Sequence, residues 1–158
     1  MGIFLVRHAI AVPRGGDALD HARPLTAKGR SRFERTVDGL DRLGVSLESV
    51  YYSPWVRARQ TAELLSPIVH GELIETDHLC APPDAKLLKV LTGDHIALVG
   101  HEPWMGSLLA LLVVGDAAYG AQFPFKKGGV AHLIGVPTAG GAELVAQYPP
   151  KVLRQIAG

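Results

Sequence analysis

The sequence predicts an α/β fold: a mainly parallel central sheet with helices on both faces and an antiparallel section at its C-terminal end. Three observations predict it. Short apolar runs at 3–6 and 96–99 read as strands buried on both faces, as parallel strands are. Patterns with apolar residues three and four apart alternate with the strand patterns, as in βαβ units. The last two strand patterns flank Gly140-Gly141, which suits a hairpin turn.

The chain has 158 residues, an expected single domain over 1–158 with room for a full core. Its 47% hydrophobic and 20% charged residues are those of a globular protein. A formal net charge of +1 argues against general binding to nucleic acid or to membranes. Cys80 is the single cysteine, so no internal disulfide can form, which suits a cytoplasmic protein. The first residues are apolar but lack a basic leader, and Arg7-His8 interrupts them, unlike a secretory signal. The longest apolar stretch, 108–114, is too short to span a bilayer.

The first strand is expected at 2–7. A polar connection over 10–25 follows, broken by Pro13, Gly15, Gly16 and Pro24. Thr26 is a fitting N-cap for a helix whose core face is Phe33, Val37, Leu40 and Leu43, closed by Gly44. A second strand fits 49–53, stopped by Pro54. A second helix at 56–69 buries Ala58, Ala62, Leu65 and Val69, and a weak strand lies at 72–75. Asp84 caps a short helix over 85–92, which Gly93 ends. A strand over 95–100 runs into His101, and Pro103 takes the tolerated first turn of a helix over 103–114. Strands at 130–136 and 142–148 form the hairpin, and 149–158 is short helix or coil.

Polar residues of related character gather where strands end. Arg7-His8 follows the first strand, Ser53-Pro54-Trp55-Val56-Arg57 the second, and His101-Glu102-Pro103 the fourth. The ends of parallel strands share one edge of the sheet, where open α/β sheets bind ligands. Two arginines and two histidines brought together there make an anion site, most naturally for a phosphoryl group, because guanidinium forks match phosphate oxygens. Arg23, in the long connection, is either a loop anchor or a substrate contact. His21, His70, His78, His95 and His132 read as loop or surface residues. Arg59, two residues from Arg57, points elsewhere on a helix. His101-Glu102-Pro103-Trp104-Met105 lacks the second histidine of a zinc-protease helix, and no Walker loop or dinucleotide fingerprint is present.

These blocks together resemble the histidine phosphatase superfamily, which includes the phosphoglycerate mutases. Leu5-Val6-Arg7-His8-Ala9 is similar to its first block, which usually reads Arg-His-Gly. Arg23-Pro24-Leu25-Thr26 with Gly29, Ser53-Pro54 with Arg57-Ala58 and Gln60-Thr61-Ala62, and Val99-Gly100-His101-Glu102-Pro103 follow in the family's order. The short length most resembles the small SixA-type phosphohistidine phosphatases. The resemblance implies that His8 attacks phosphorus and is transiently phosphorylated, while Arg7, Arg57 and His101 bind the phosphoryl oxygens. It implies no metal and no cofactor. Nearby Arg7 and Arg57 are expected to keep His8 neutral.

Two departures bear on substrate. Ala9 replaces the usual glycine, which matters if that position needs glycine-only geometry. Ala81 falls about where ester-cleaving members carry a glutamate acid. An alkoxide needs a proton from such an acid, an effect worth about 10²–10⁴ in rate, whereas a protonated phosphoimidazole leaves readily. The expected substrate is therefore a phosphorylated protein carrying phosphohistidine. Asp17, Asp20, Asp77, Asp84 and Glu102 remain as possible acids. Two other functions fit the same residues: hydrolysis of a small phosphorylated metabolite, and a non-catalytic phosphate- or phosphopeptide-binding module.

Overall fold

The computed structural model describes residues 1–158 and turns the apolar runs into the middle of one sheet. β1 (Gly2–Arg7) and β4 (His95–Gly100) pair in parallel, with Gly2 opposite His95 and Arg7 opposite Gly100. β2 (Leu47–Tyr52) and β3 (Val69–Glu75) extend the parallel section. β5 (Val130–Gly135) runs antiparallel to β1, and β6 (Ala142–Tyr148) antiparallel to β5, giving the order β3-β2-β4-β1-β5-β6. The expected architecture is the observed one.

Alternation along β1 assigns its side chains to two cores. Phe4 and Val6 face α1 (Ala27–Arg42), α2 (Val56–Leu64) and α5 (Pro150–Ala157), packing with Phe33, Val37, Ala62 and Leu153. Ile3 and Leu5 face α3 (Ala85–Val90) and α4 (Trp104–Val114), packing with Leu87, Met105, Leu108 and Leu109. Each leucine, isoleucine, valine, phenylalanine or methionine buried this way contributes about 1.5–3 kcal/mol.

Boundaries moved where local chemistry overrode the apolar pattern. The second helix stops at Leu64 rather than 69, because Pro67 sits in a 3-10 turn over Ser66–Ile68, and Val69 already begins β3. α3 ends at Val90, since the Thr92 N–H is taken by the Tyr51 hydroxyl at 3.1 Å. Pro103 precedes α4 rather than entering it. The C-terminal segment is a helix, packed on α1 through Leu153.

Gly39 is where α1 and α5 touch backbone to backbone: a Cβ there would overlap the Leu153 carbonyl oxygen. Gly39→Ala is therefore expected to destabilise the chain by about 1–3 kcal/mol, as overpacking does. Helix propensity alone would favour alanine by about 1 kcal/mol. The urea unfolding midpoint checks the sign, and a higher midpoint would refute the clash.

Candidate active site

Because β1 and β4 are neighbours, Arg7-His8 and His101 leave the sheet side by side. The His8 N–H donates to the Gly100 carbonyl at 3.0 Å, and the two imidazole centroids are 5.2 Å apart. The 126–129 turn braces this exit. Gly128 holds φ +78°, which favours glycine, and its N–H lies 3.1 Å from the Arg7 carbonyl and 3.0 Å from that of His8.

Arg57 arrives from the first turn of α2 and is only 3% exposed. Its Nε donates to His8 Nε2 at 3.3 Å, its Nη1 to the Asp20 carbonyl at 2.7 Å, and it lies 4.7 Å from the Trp55 ring centroid. One turn further, Thr61 Oγ1 accepts the Ala9 N–H at 3.0 Å and donates to the Arg57 carbonyl at 2.7 Å. That hydroxyl fastens the end of β1 to α2.

The hydrogen bonds fix the tautomer of His8. Its Nδ1 lies 2.7 Å from the Ala9 carbonyl oxygen, which can only accept, so Nδ1 carries the proton. Nε2 is then left with a lone pair, facing Arg57. Arg7 Nη1 donates to the Phe125 carbonyl at 2.7 Å, and His101 Nε2 is 2.7 Å from Ser53 Oγ. Arg7 Nε and His101 Nδ1 are buried without a partner. Unpartnered buried polar nitrogens are rare and expensive, and two in one site suit an incoming oxyanion.

Arg7, His8, Arg23, Arg57 and His101 all line one cleft of about 450 Å³, together with Arg14, Glu102 and Lys127. The structure thus brings together the five residues that the sequence assigned to the phosphoryl group, and of the acid candidates only Glu102 lines the cleft with them. His70, His95 and His132 line a separate hollow with Leu43 and Tyr148. Arg59 turns away to pair with Glu63 at 3.7 Å. No group of three or more His, Cys, Asp or Glu is arranged to hold a metal ion.

The model of the histidine phosphatase superfamily (branch 1) matches residues 3–80. An uncharacterized protein of a Picosynechococcus strain is 33% identical over 150 residues, covering 84% of each chain. This chain belongs to the histidine phosphatase superfamily. Phosphohistidine phosphatase SixA of Escherichia coli is 29% identical over 125 residues, covering 73% of this chain and 76% of SixA. A solved structure of the protein histidine phosphatase SixA complexed with tungstate superimposes with a TM-score of 0.79 at 25% identity, over 97% of this chain and 99% of the other. An Entamoeba histolytica phosphoserine phosphatase shares the fold, with a TM-score of 0.67 at 14% identity over 92% and 95% of the two chains.

Within this superfamily member, the electrostatics differ from the sequence expectation in one cause. His8 is held down to about 3, but burial is the largest reason. The bond to Ala9 works in the opposite direction, and the charges of His101, Arg57 and Arg7 add less than burial. His101 is likewise held down to about 3, by burial first and Arg57 second. Both imidazoles are neutral at pH 7.

Ala9 causes no strain, since no residue other than glycine has positive φ, and its methyl packs in the core at 3% exposure. Ala81 does not line the cleft; it lies beside Pro83 and Trp104. Among the acid candidates, Asp84 caps α3 through the N–H groups of Lys86 and Leu87. Glu102 spends one oxygen on the Gly106 N–H at 2.7 Å and the other on the Phe125 N–H at 3.2 Å, a tie that supports the residue gripping Arg7. Burial acts to raise Asp20, but the hydrogen bond from Arg23 and the charges of Arg57, Arg14 and Arg23 outweigh it and hold the carboxyl below its usual range. Arg23 Nε meets Asp20 at 2.9 Å and its Nη1 meets the Val12 carbonyl at 2.6 Å, which makes it an anchor of the long connection.

Sequence reasoning did not single out Thr61, Phe125, or Ser53 as the partner of His101. Thr61 falls inside the quoted Gln60-Thr61-Ala62 block, which was a usable signal. The Phe125 carbonyl has none, because any residue supplies one.

The neutral histidines carry a pH consequence. Unfolded imidazoles titrate near pH 6.5, whereas His8 and His101 titrate at about 3 in the fold. Between these values the unfolded chain binds more protons, so stability falls as pH drops from 6.5 toward 3. Urea midpoints at pH 7 and 4.5 are expected to show a clear loss at 4.5. A flat profile would place charged imidazoles in the fold.

Proposed function

We propose that the chain is a cytoplasmic, metal-independent phosphatase that removes phosphate from phosphohistidine in a protein through a covalent intermediate on His8. The observation that carries this reading is the fixed tautomer of His8, whose Nε2 lone pair lies beside Arg57 in a cleft also lined by Arg7 and His101. Arg7 Nε and His101 Nδ1 supply unspent nitrogens for phosphoryl oxygens.

In the first step Nε2 attacks phosphorus, a new P–N bond forms to His8, and the P–N bond to the substrate imidazole breaks. The leaving imidazole departs neutral, its other nitrogen already carrying a proton. In the second step water attacks phosphorus, the electron pair of the P–N bond returns to His8 Nε2, and both protons of the water leave with the phosphate as dihydrogen phosphate. Arg7 and Arg57 stabilise charge on the equatorial oxygens throughout. Glu102 is the one carboxylate lining the cleft, and both its oxygens are engaged. That supports a leaving group needing no carboxylic acid over a sugar or glycolytic ester.

The test is phosphate release from a phosphohistidine-bearing carrier protein, beside an aryl phosphate and a sugar phosphate. Carrier turnover is expected to exceed ester turnover by at least about 10² in kcat/KM, the share of the rate an acid supplies. Faster turnover of the esters would move the substrate to small metabolites while keeping the chemistry.

A further inference from the structure

The cleft is continuous with a second, basic surface. Ile10 and Lys127 line the catalytic cleft and also a shallow depression beside it, whose floor and rim include Phe33, Gly128, Arg32 and Arg154. The depression holds only about 20 Å³, too little for a metabolite, so its charges serve a surface rather than a pocket.

Those charges are unneutralised. Arg14, Arg23 and Arg57 meet Asp20, and Arg59 meets Glu63, but Arg32, Arg154, Lys126 and Lys127 pair with no carboxylate. α1 does carry Glu34, Asp38 and Asp41, yet none forms an ion pair with Arg32 or Arg154. Arg35 lies beside the cluster: its Nη2 donates to the Arg154 carbonyl at 3.2 Å and to a terminal carboxylate oxygen of Gly158 at 2.8 Å. Burial, then the charges of Arg32 and Arg35, hold the Arg154 guanidinium below its usual value. Like charges packed this way repel, and an anionic partner relieves the repulsion. In a chain of net charge +1, such a strip is a local asymmetry rather than general basicity.

We infer that the strip formed by Lys127, Arg32 and Arg154, beside the catalytic cleft, docks an acidic face of the phosphorylated protein substrate. The inference rests on the phosphohistidine-protein reading above. Its position gives it a purpose: a partner whose phosphohistidine enters the cleft must lay the surrounding surface across this rim. Complementary charge there raises the rate of encounter and fixes orientation, leaving chemistry at His8 untouched. An aromatic platform for nucleic-acid bases is missing from the strip, where Phe33 is 1% exposed.

The experiment uses two phosphohistidine carrier proteins, one acidic and one basic around its histidine, and phosphoramidate as a small substrate. Arg32→Glu, on the exposed face of α1, is the first variant, and Arg154→Gln is the second in case charge reversal disturbs folding. For Arg32→Glu, kcat/KM on the acidic carrier is expected to fall about tenfold, the low end of electrostatic steering. Phosphoramidate turnover stays within about twofold, and raising salt to about 0.3 M narrows the gap. Unchanged turnover of the acidic carrier in both variants would overturn the inference. So would an equal loss on phosphoramidate, or salt-sensitive binding of random RNA lost in Arg32→Glu while carrier turnover is kept. Wild-type protein that hydrolyses phosphoramidate and aryl phosphate but neither carrier would instead overturn the underlying reading.

Discussion

His8→Ala is expected to lower phosphate release by about 10⁴–10⁶-fold and to abolish phosphate labelling of the protein. No other histidine can replace it. His101 is 5.2 Å away by ring centroid, but its Nε2 is engaged by Ser53 and its Nδ1 is the nitrogen proposed to hold a phosphoryl oxygen. Arg7, Arg57 and His101 remain in the variant, so tungstate, a phosphate-like oxyanion, should still bind. That separation is the useful part of the experiment. Lost labelling with retained oxyanion binding assigns the covalent step to His8. Turnover within about tenfold of wild type would remove His8 as nucleophile and turn attention to direct attack by water.

The second large effect belongs to Arg57. Arg57→Lys keeps the charge, yet is expected to cost about 10²–10³ in kcat, the scale of removing one oxyanion donor. The guanidinium holds three places at once: Nε on His8, Nη1 on the Asp20 carbonyl, and Nη2 at 3.6 Å from the Asp20 carboxylate. An ammonium is a point charge with one nitrogen and cannot meet all three. Because burial is the chief cause of the low His8 value, the variant should leave that imidazole neutral at pH 7. The loss should therefore persist unchanged between pH 7 and 8 in single-turnover measurements. Recovery of activity across that range would mean that the arginine acts mainly by setting protonation.

The parts of this molecule that were legible in the sequence are those carried by pattern. Residues 3–6 had to be a buried strand because nothing polar interrupts them, and His8 had to lie at its end because a buried imidazole without partners is costly. The convergence with Arg57 and His101 followed once the strands were parallel. What stayed hidden was carried by backbone atoms and by single turns. Pro67 ended a helix that the apolar spacing of Leu65 and Val69 would continue. The carbonyls of Ala9, Asp20 and Phe125 set the tautomer of His8 and the aim of two arginines, and carbonyls leave no mark on side-chain identity. The fate of Asp20 was equally unreadable. Only the folded connection shows it facing three arginines.

The hydrogen bond from Arg57 Nε to His8 Nε2 has a consequence for selectivity. A neutral imidazole with a bare lone pair is a general reagent, open to acylating metabolites, stray electrophiles and loosely held copper. Here the Nε2 lone pair accepts a guanidinium proton from Arg57 at 3.3 Å. In the proposed reaction a phosphoryl dianion, a stronger acceptor for Arg57, would draw that proton aside and bare the nitrogen. The arginine proposed to steady the reaction would thus also shield its nucleophile, and selectivity would begin before any bond is made.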